Sequence, residues 1–148
     1  MATNAEIVLE AIRAVEERDA DCLFGLYHDD VEFHDAESLP YGGSARGKQN
    51  LRRQLEEHPE QTWLGTWGPL QPTEAERRMD PRVIGESGDE VTVLYTQRAV
   101  SPSGERFEAP VVGHYRVRDG MFARAQMFHF DTASVLAFLA RASGRPSP

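Results

Sequence analysis

The sequence predicts an α+β domain, with helices in the first half and an antiparallel meander in most of the second. Three observations carry this. Apolar residues recur at helical spacing over residues 4–15 and at strand spacing over much of 82–130. Asp119-Gly120 separates two strand-like runs, a strong two-residue hairpin signal. The 148 residues suit one domain, placed here over 1–142 with a frayed tail over 143–148. A chain this long buries roughly 70% of its unfolded surface, enough for a core and an internal pocket.

The elements follow in order. Thr3 and Glu6 have capping-box spacing, and Ile7, Val8, Ala11, Ile12 and Val15 then share one helix face. Asp19 caps a second, shorter helix whose apolar residues Cys22, Leu23, Leu26 and Tyr27 end at His28-Asp29-Asp30. Val31–Asp35 alternates as a strand. Leu39-Pro40-Tyr41-Gly42-Gly43 breaks both regular structures and reads as a loop. Lys48–Glu57 is a weakly amphipathic helix, stopped by Pro59. Residues 60–80 show no period and read as a long apolar loop of the kind that often serves as a lid. Strands are expected over 82–86, 90–100, 106–118 and 121–130, and a terminal helix over 132–142 behind Asp131. Helices before an antiparallel meander make an α+β architecture.

Composition narrows function. Apolar residues at 40% and charged residues at 27% are ordinary globular usage. Sixteen Lys and Arg against 24 Asp and Glu give a net charge of −8, which disfavours sequence-independent phosphate binding and hence nucleic acid. The acid is concentrated in residues 1–74, with 15 acidic and 6 basic groups, as on solvated helix faces. The single cysteine, Cys22, excludes an internal disulfide framework and a Cys-rich zinc site. The longest apolar run, Val135–Ala140, is six residues against the ~20 that a membrane span needs. The N-terminus lacks the basic start and apolar core of a secretion signal, so a cytoplasmic protein is expected. The five histidines show no metal-binding spacing, and there is no Gly-rich phosphate loop and no Ser in a nucleophile elbow.

Side-chain parity sorts the titratable groups. Asp35 shares a strand face with Val31 and Phe33, where a carboxylate needs a partner or a task; it can equally cap the following turn. His114 falls on the outer parity of its strand with Arg116 and Arg118. On the last strand both faces are partly apolar. If Ala123, Ala125 and Met127 point inward, His129 and Asp131 enter the interior on the same side, a carboxylate near an imidazole. Asp131 is also well placed to cap the terminal helix through Ser134. Tyr41, Trp63, Trp67 and Tyr95 fit either an aromatic ligand site or plain core.

Several segments resemble the nuclear transport factor 2-like superfamily, and within it the SnoaL-like polyketide cyclases and ketosteroid isomerase-like proteins. The residues that carry this are Leu26–Asp35, Ser38–Gly43 with Arg46-Gly47, and the closing runs Val117–Gly120 and Phe130–Thr132. The resemblance spans residues 4–142. It implies a cone-shaped roll of a strongly curved, mainly antiparallel sheet around three helices, with an apolar pocket at one end and a homodimer through the outer sheet face. In ketosteroid isomerases the general base ends the first strand, where Asp35 stands. Their oxyanion-binding Asp falls where this chain has Gly113, and their helix-one Tyr has no counterpart among residues 7–15. In SnoaL-like cyclases a last-strand carboxylate is the acid/base, the place of Asp131. The Asp-Arg-Asp set of limonene epoxide hydrolases has no clear match, since Arg98 and Arg116 take the outer parity.

The expected function is that of a cofactor-independent acid/base enzyme of small-molecule metabolism, polyketide metabolism included, cyclising or isomerising next to a carbonyl in an apolar pocket. Asp131 is expected as acid/base, His129 as its partner or proton shuttle, and Asp35 as a second carboxylate. Tyr41, Trp63, Tyr95, Tyr115 and Met127 are expected to shape a pocket for a small apolar substrate. The alternatives are a non-catalytic binding protein on the same fold, or an epoxide hydrolase or pericyclic cyclase.

Overall fold

A computed structural model describes residues 1–144. Helix α1 (Asn4–Glu16) starts where the Thr3 hydroxyl accepts the Glu6 N–H at 3.1 Å, and it buries Ile7, Val8, Ala11, Ile12 and Ala14. Helix α2 (Ala20–Leu26) is capped by Asp19 and feeds directly into strand β1 (Tyr27–Asp35). After β2 (Gly43–Arg46) and α3 (Lys48–Glu57) come two short helices, α4 (Trp63–Trp67) and α5 (Glu74–Arg77). Strands β3 (Arg82–Ser87), β4 (Glu90–Val100), β5 (Arg106–Arg118) and β6 (Met121–His129) form the meander, and α6 (Thr132–Ala142) closes the chain.

The strands form one α+β sheet in the order β2-β1-β6-β5-β4-β3. All neighbours are antiparallel except β1 and β6, which run parallel. Asp119 and Gly120 both have positive φ (55° and 71°), the mirror-image turn whose twist suits a hairpin. Along β4 burial alternates strictly, with Val91, Val93, Tyr95, Gln97 and Ala99 inward. This inner face packs on α1 and α2 to form the main core. A second cluster, centred on Trp67, Val135 and Phe138, joins α4 to α6 at the other end; its Phe107 and Phe138 rings stack 4.8 Å apart.

Four sequence expectations change. β1 begins at Tyr27, so the second helix stops before His28-Asp29-Asp30. The loop expected over Leu39–Gly43 gives way at Gly43 to β2, an edge strand paired with β1 in a segment to which the sequence assigned no element. Residues 60–80 are not a loop: Thr62 accepts the Gly65 N–H at 3.0 Å to start α4, and Thr73 with Glu76 forms a capping box on α5. Helices of four or five residues complete barely one turn, too little for a period to show. On the last strand, Ala123 is the extra residue of a bulge, because Arg116 pairs with Arg124 but Val117 with Phe122. Phe122 is therefore inward before the bulge, and Ala125 and Met127 after it. The terminal segment expected to fray shows a turn at Ser143 and Gly144, and otherwise lies outside the described residues. No helix among the described residues is long and apolar enough to cross a membrane.

Candidate active site

A cavity of about 800 Å³ opens between α1, α2, α3 and the inner face of the sheet. Its deep wall is buried and largely aromatic, including Tyr27, Tyr95, Tyr115 and Phe122. Its mouth is exposed and polar, with Asn50, Arg53 and His58 from the α3 side. Tyr41, Trp63, Tyr95, Tyr115 and Met127 all stand on its wall. Trp67 does not; it is fully buried in the second cluster and donates its indole N–H to the Tyr41 hydroxyl at 3.0 Å, fixing that ring.

Asp35, the last residue of β1, lies inward on the face of Val31 and Phe33 and reaches the cavity wall. Its Oδ1 accepts two hydrogen bonds, from His129 Nε2 at 2.8 Å and from the Ala36 N–H at 2.8 Å. Its Oδ2 has no hydrogen-bond donor among the described residues. His129 ends β6, and the parallel β1–β6 pairing brings the two strand ends side by side. The side chains are 5% exposed for His129 and 11% for Asp35, so the bond sits in a low-dielectric setting where it is strengthened. The other imidazole nitrogen, Nδ1, is buried with no partner. A carboxylate oxygen can only accept, so Nε2 carries the proton of this bond. A second cavity of about 340 Å³ adjoins the pair, and Asp35 and Met127 stand on both walls.

Asp131 is not part of this group. β6 ends at His129, and the backbone leaves the sheet to begin α6, so alternation does not extend to residue 131. Asp131 is exposed, lines neither cavity, and accepts the Ser134 N–H at 3.3 Å as the N-cap of α6. The expected interior His129–Asp131 pair is thus replaced by a His129–Asp35 pair. His114 lies on the outer face, bonded to Thr92 at 3.0 Å and Glu90 at 3.1 Å. Arg98 and Arg116 are also outer-face residues, paired with Asp80, Glu108, Asp89 and Glu90. His34 bonds Ser44 across β1 and β2 at 2.8 Å.

The electrostatics follow from burial. Desolvation raises the hydroxyls of Tyr27, Tyr41, Tyr95 and Tyr115 above the ordinary phenol range, and the Asp35 charge adds to this at Tyr41 and Tyr95. These groups remain neutral donors. Sequence reasoning missed the aromatic wall of Tyr27, Phe33 and Phe122, whose centroids lie 5.4 to 6.0 Å apart across the Tyr27–Phe33 and Phe33–Phe122 pairs. The parity of Phe33 with Asp35 was the available signal. Among the described residues no cluster of three or more His, Cys, Asp or Glu is arranged to hold a metal ion.

Comparison with known proteins places the chain in a family. The SnoaL-like domain family matches residues 8–125, and the chain belongs to that family. Solved structures agree on the fold. TerC, co-crystallised with polyporic acid, is 24% identical, with 92% of this chain and 97% of that one covered at a TM-score of 0.73. An NTF2-like protein of unknown function from Burkholderia pseudomallei K96243 is 22% identical, covering 92% and 96% at a TM-score of 0.68. A candidate polyketide cyclase from Pseudomonas putida KT2440 is 17% identical, covering 89% and 94% at a TM-score of 0.65. No curated protein matches the chain in sequence.

Proposed function

We propose that this chain is an acid/base enzyme acting on a small, largely apolar molecule, removing and returning a proton next to a carbonyl to drive cyclisation or isomerisation. The observation that carries the reading is Asp35: a carboxylate on the wall of an 800 Å³ apolar cavity, with one oxygen held at 2.8 Å by a buried imidazole and the other free. Asp35 Oδ2 takes the proton, the C–H electron pair becomes a C=C bond, and the carbonyl π pair moves onto oxygen. Return of the proton to another carbon isomerises the molecule; attack of the enolate carbon on a second carbonyl closes a ring. His129 is a positioning residue, since its free nitrogen is buried and its proton is committed to Asp35. The family, the co-crystallisation of TerC with polyporic acid and the candidate cyclase from Pseudomonas support the substrate class.

We also infer that two copies pair through the outer sheet face. Leu94, Val112 and Phe128 align across β4, β5 and β6 there, and Phe128 and Phe130 are 52% and 85% exposed.

The reading is tested with 5-nitrobenzisoxazole, a flat apolar carbon acid whose ring opens when a base removes its C3 proton. Wild type should open it, Asp35→Asn should lose roughly 10²–10⁴-fold, and Asp131→Asn should keep the wild-type rate. An Asp35→Asn variant as fast as wild type sinks the proposal. Binding without ring opening would favour a ligand-binding protein on the same fold.

A further inference from the structure

Tyr95 on β4 and Tyr115 on β5 point inward on either side of the Val93–Gly113 pair, at the deep end of the main cavity, and are each 3% exposed. Both hydroxyls reach one atom, Met127 Sδ, at 3.6 Å from Tyr95 and 3.9 Å from Tyr115. A thioether is a weak acceptor, and here one sulfur serves two phenols. Buried hydroxyls ordinarily find oxygen or nitrogen partners, so this pair retains most of its donating capacity.

The backbone makes room for the arrangement. A Cβ at Gly113 would lie 2.2 Å from the Tyr115 hydroxyl oxygen and 2.4 Å from its ring carbon. Only a residue with no side chain lets the Tyr115 phenol lie across this part of β5. A glycine inside a strand weakens it, and here that cost is offset by the room it leaves for the Tyr115 ring. Burial keeps both hydroxyls protonated, Tyr95 also through the negative charge of Asp35, so they remain donors across the ordinary pH range.

We propose that Tyr95 and Tyr115 form a two-donor seat for a developing oxyanion, so that the deep end of the cavity takes an enolate- or phenolate-type oxygen. This rests on the reading of Asp35 as the base. Once Asp35 has accepted a proton it is neutral, and the negative charge has moved to the substrate oxygen. Both phenols then exchange a weak sulfur contact for a charge-assisted hydrogen bond, a gain realised only after proton transfer. Met127, with three rotatable bonds, can move aside as the oxygen enters.

The experiment compares 2-naphthol with naphthalene on the full chain carrying Asp35→Asn, which reproduces the uncharged state of the base. 2-Naphthol should bind more tightly than naphthalene. Tyr95→Phe and Tyr115→Phe should each weaken 2-naphthol about tenfold while leaving naphthalene within about twofold. Gly113→Ala should weaken 2-naphthol with both tyrosines retained, which keeps the test open where a Phe variant folds poorly. Equal loss of both ligands, no change in either Phe variant, or no 2-naphthol binding overturns the seat. The two proposals separate cleanly. Loss of benzisoxazole discrimination with the naphthol contrast intact condemns only the base; the reverse condemns only the seat.

Discussion

Replacing the Asp35–His129 pair one member at a time, and then together, reveals whether it is held for stability or for chemistry. His129→Leu removes the donor 2.8 Å from Asp35 Oδ1 and substitutes an apolar side chain of similar bulk. A hydrogen bond to a charged group contributes about 1.5–3 kcal/mol, and removing the buried, unpartnered Nδ1 returns roughly 1 kcal/mol. The single variant should therefore lose about 0.5–2 kcal/mol. Asp35→Leu leaves both nitrogens of a 5%-exposed imidazole without partners and takes the acceptor from the Ala36 N–H, a loss of about 2–3 kcal/mol. The double variant removes the acid and the imidazole together. Apolar replacement of a buried pair is often neutral or stabilising, so it should fall within about 1 kcal/mol of wild type. The expected coupling, the sum of the two singles less a double near zero, is about 2.5–5 kcal/mol, read by urea unfolding of the four proteins. Near the melting point each kcal/mol moves the midpoint by about 2–4 °C for a chain of this size. Singles that add to the double within about 0.5 kcal/mol would refute the reasoning. So would a double variant less stable than either single, because the pair would then be structural.

Two further expectations concern the outer face. Hydrogen bonding to His114, with smaller help from Arg116, holds the Glu90 carboxyl below the usual carboxylate range. Its folded pKa is depressed, so this stabilisation is complete above the unfolded carboxylate value, about 4.3, and fades as pH falls through the folded one. Melting temperatures measured from pH 6 down to about 3 should fall more steeply for wild type than for Glu90→Gln, and equal slopes would count against the bond. Phe128→Glu should shift the protein toward monomer in analytical ultracentrifugation with its melting cooperativity preserved, since Phe128 is half exposed. An unchanged sedimentation profile would remove the outer face as the pairing surface.

Much of the scaffold was legible because its periods are long. The thirteen residues of β5 and eleven of β4 leave no doubt about alternation, and the capped face of α1 runs over thirteen residues. Asp35 was legible on a shorter strand because it shares parity with two apolar residues, Val31 and Phe33. Asp131 was misread because alternation was carried two residues past the true end of β6, where an N-cap, not a pleat, sets direction. The bulge at Ala123 hid the inward face of β6, since no local sequence signal marks an inserted residue between two apolar neighbours. The partner of His129 lay beyond reach for a different reason. Side-by-side placement of β1 and β6 is a long-range pairing, which spacing along the chain does not encode.

That pairing has a consequence for how the molecule comes to life. Asp35 and His129 are 94 positions apart in the chain, and β6 enters the sheet between two strands made before it. A nascent chain that has delivered only its first 120 residues has no imidazole beside its carboxylate and presents the open sides of β1 and β5 to whatever is nearby. Assembly thus waits on a late insertion, of the kind that slows folding through its distant contacts.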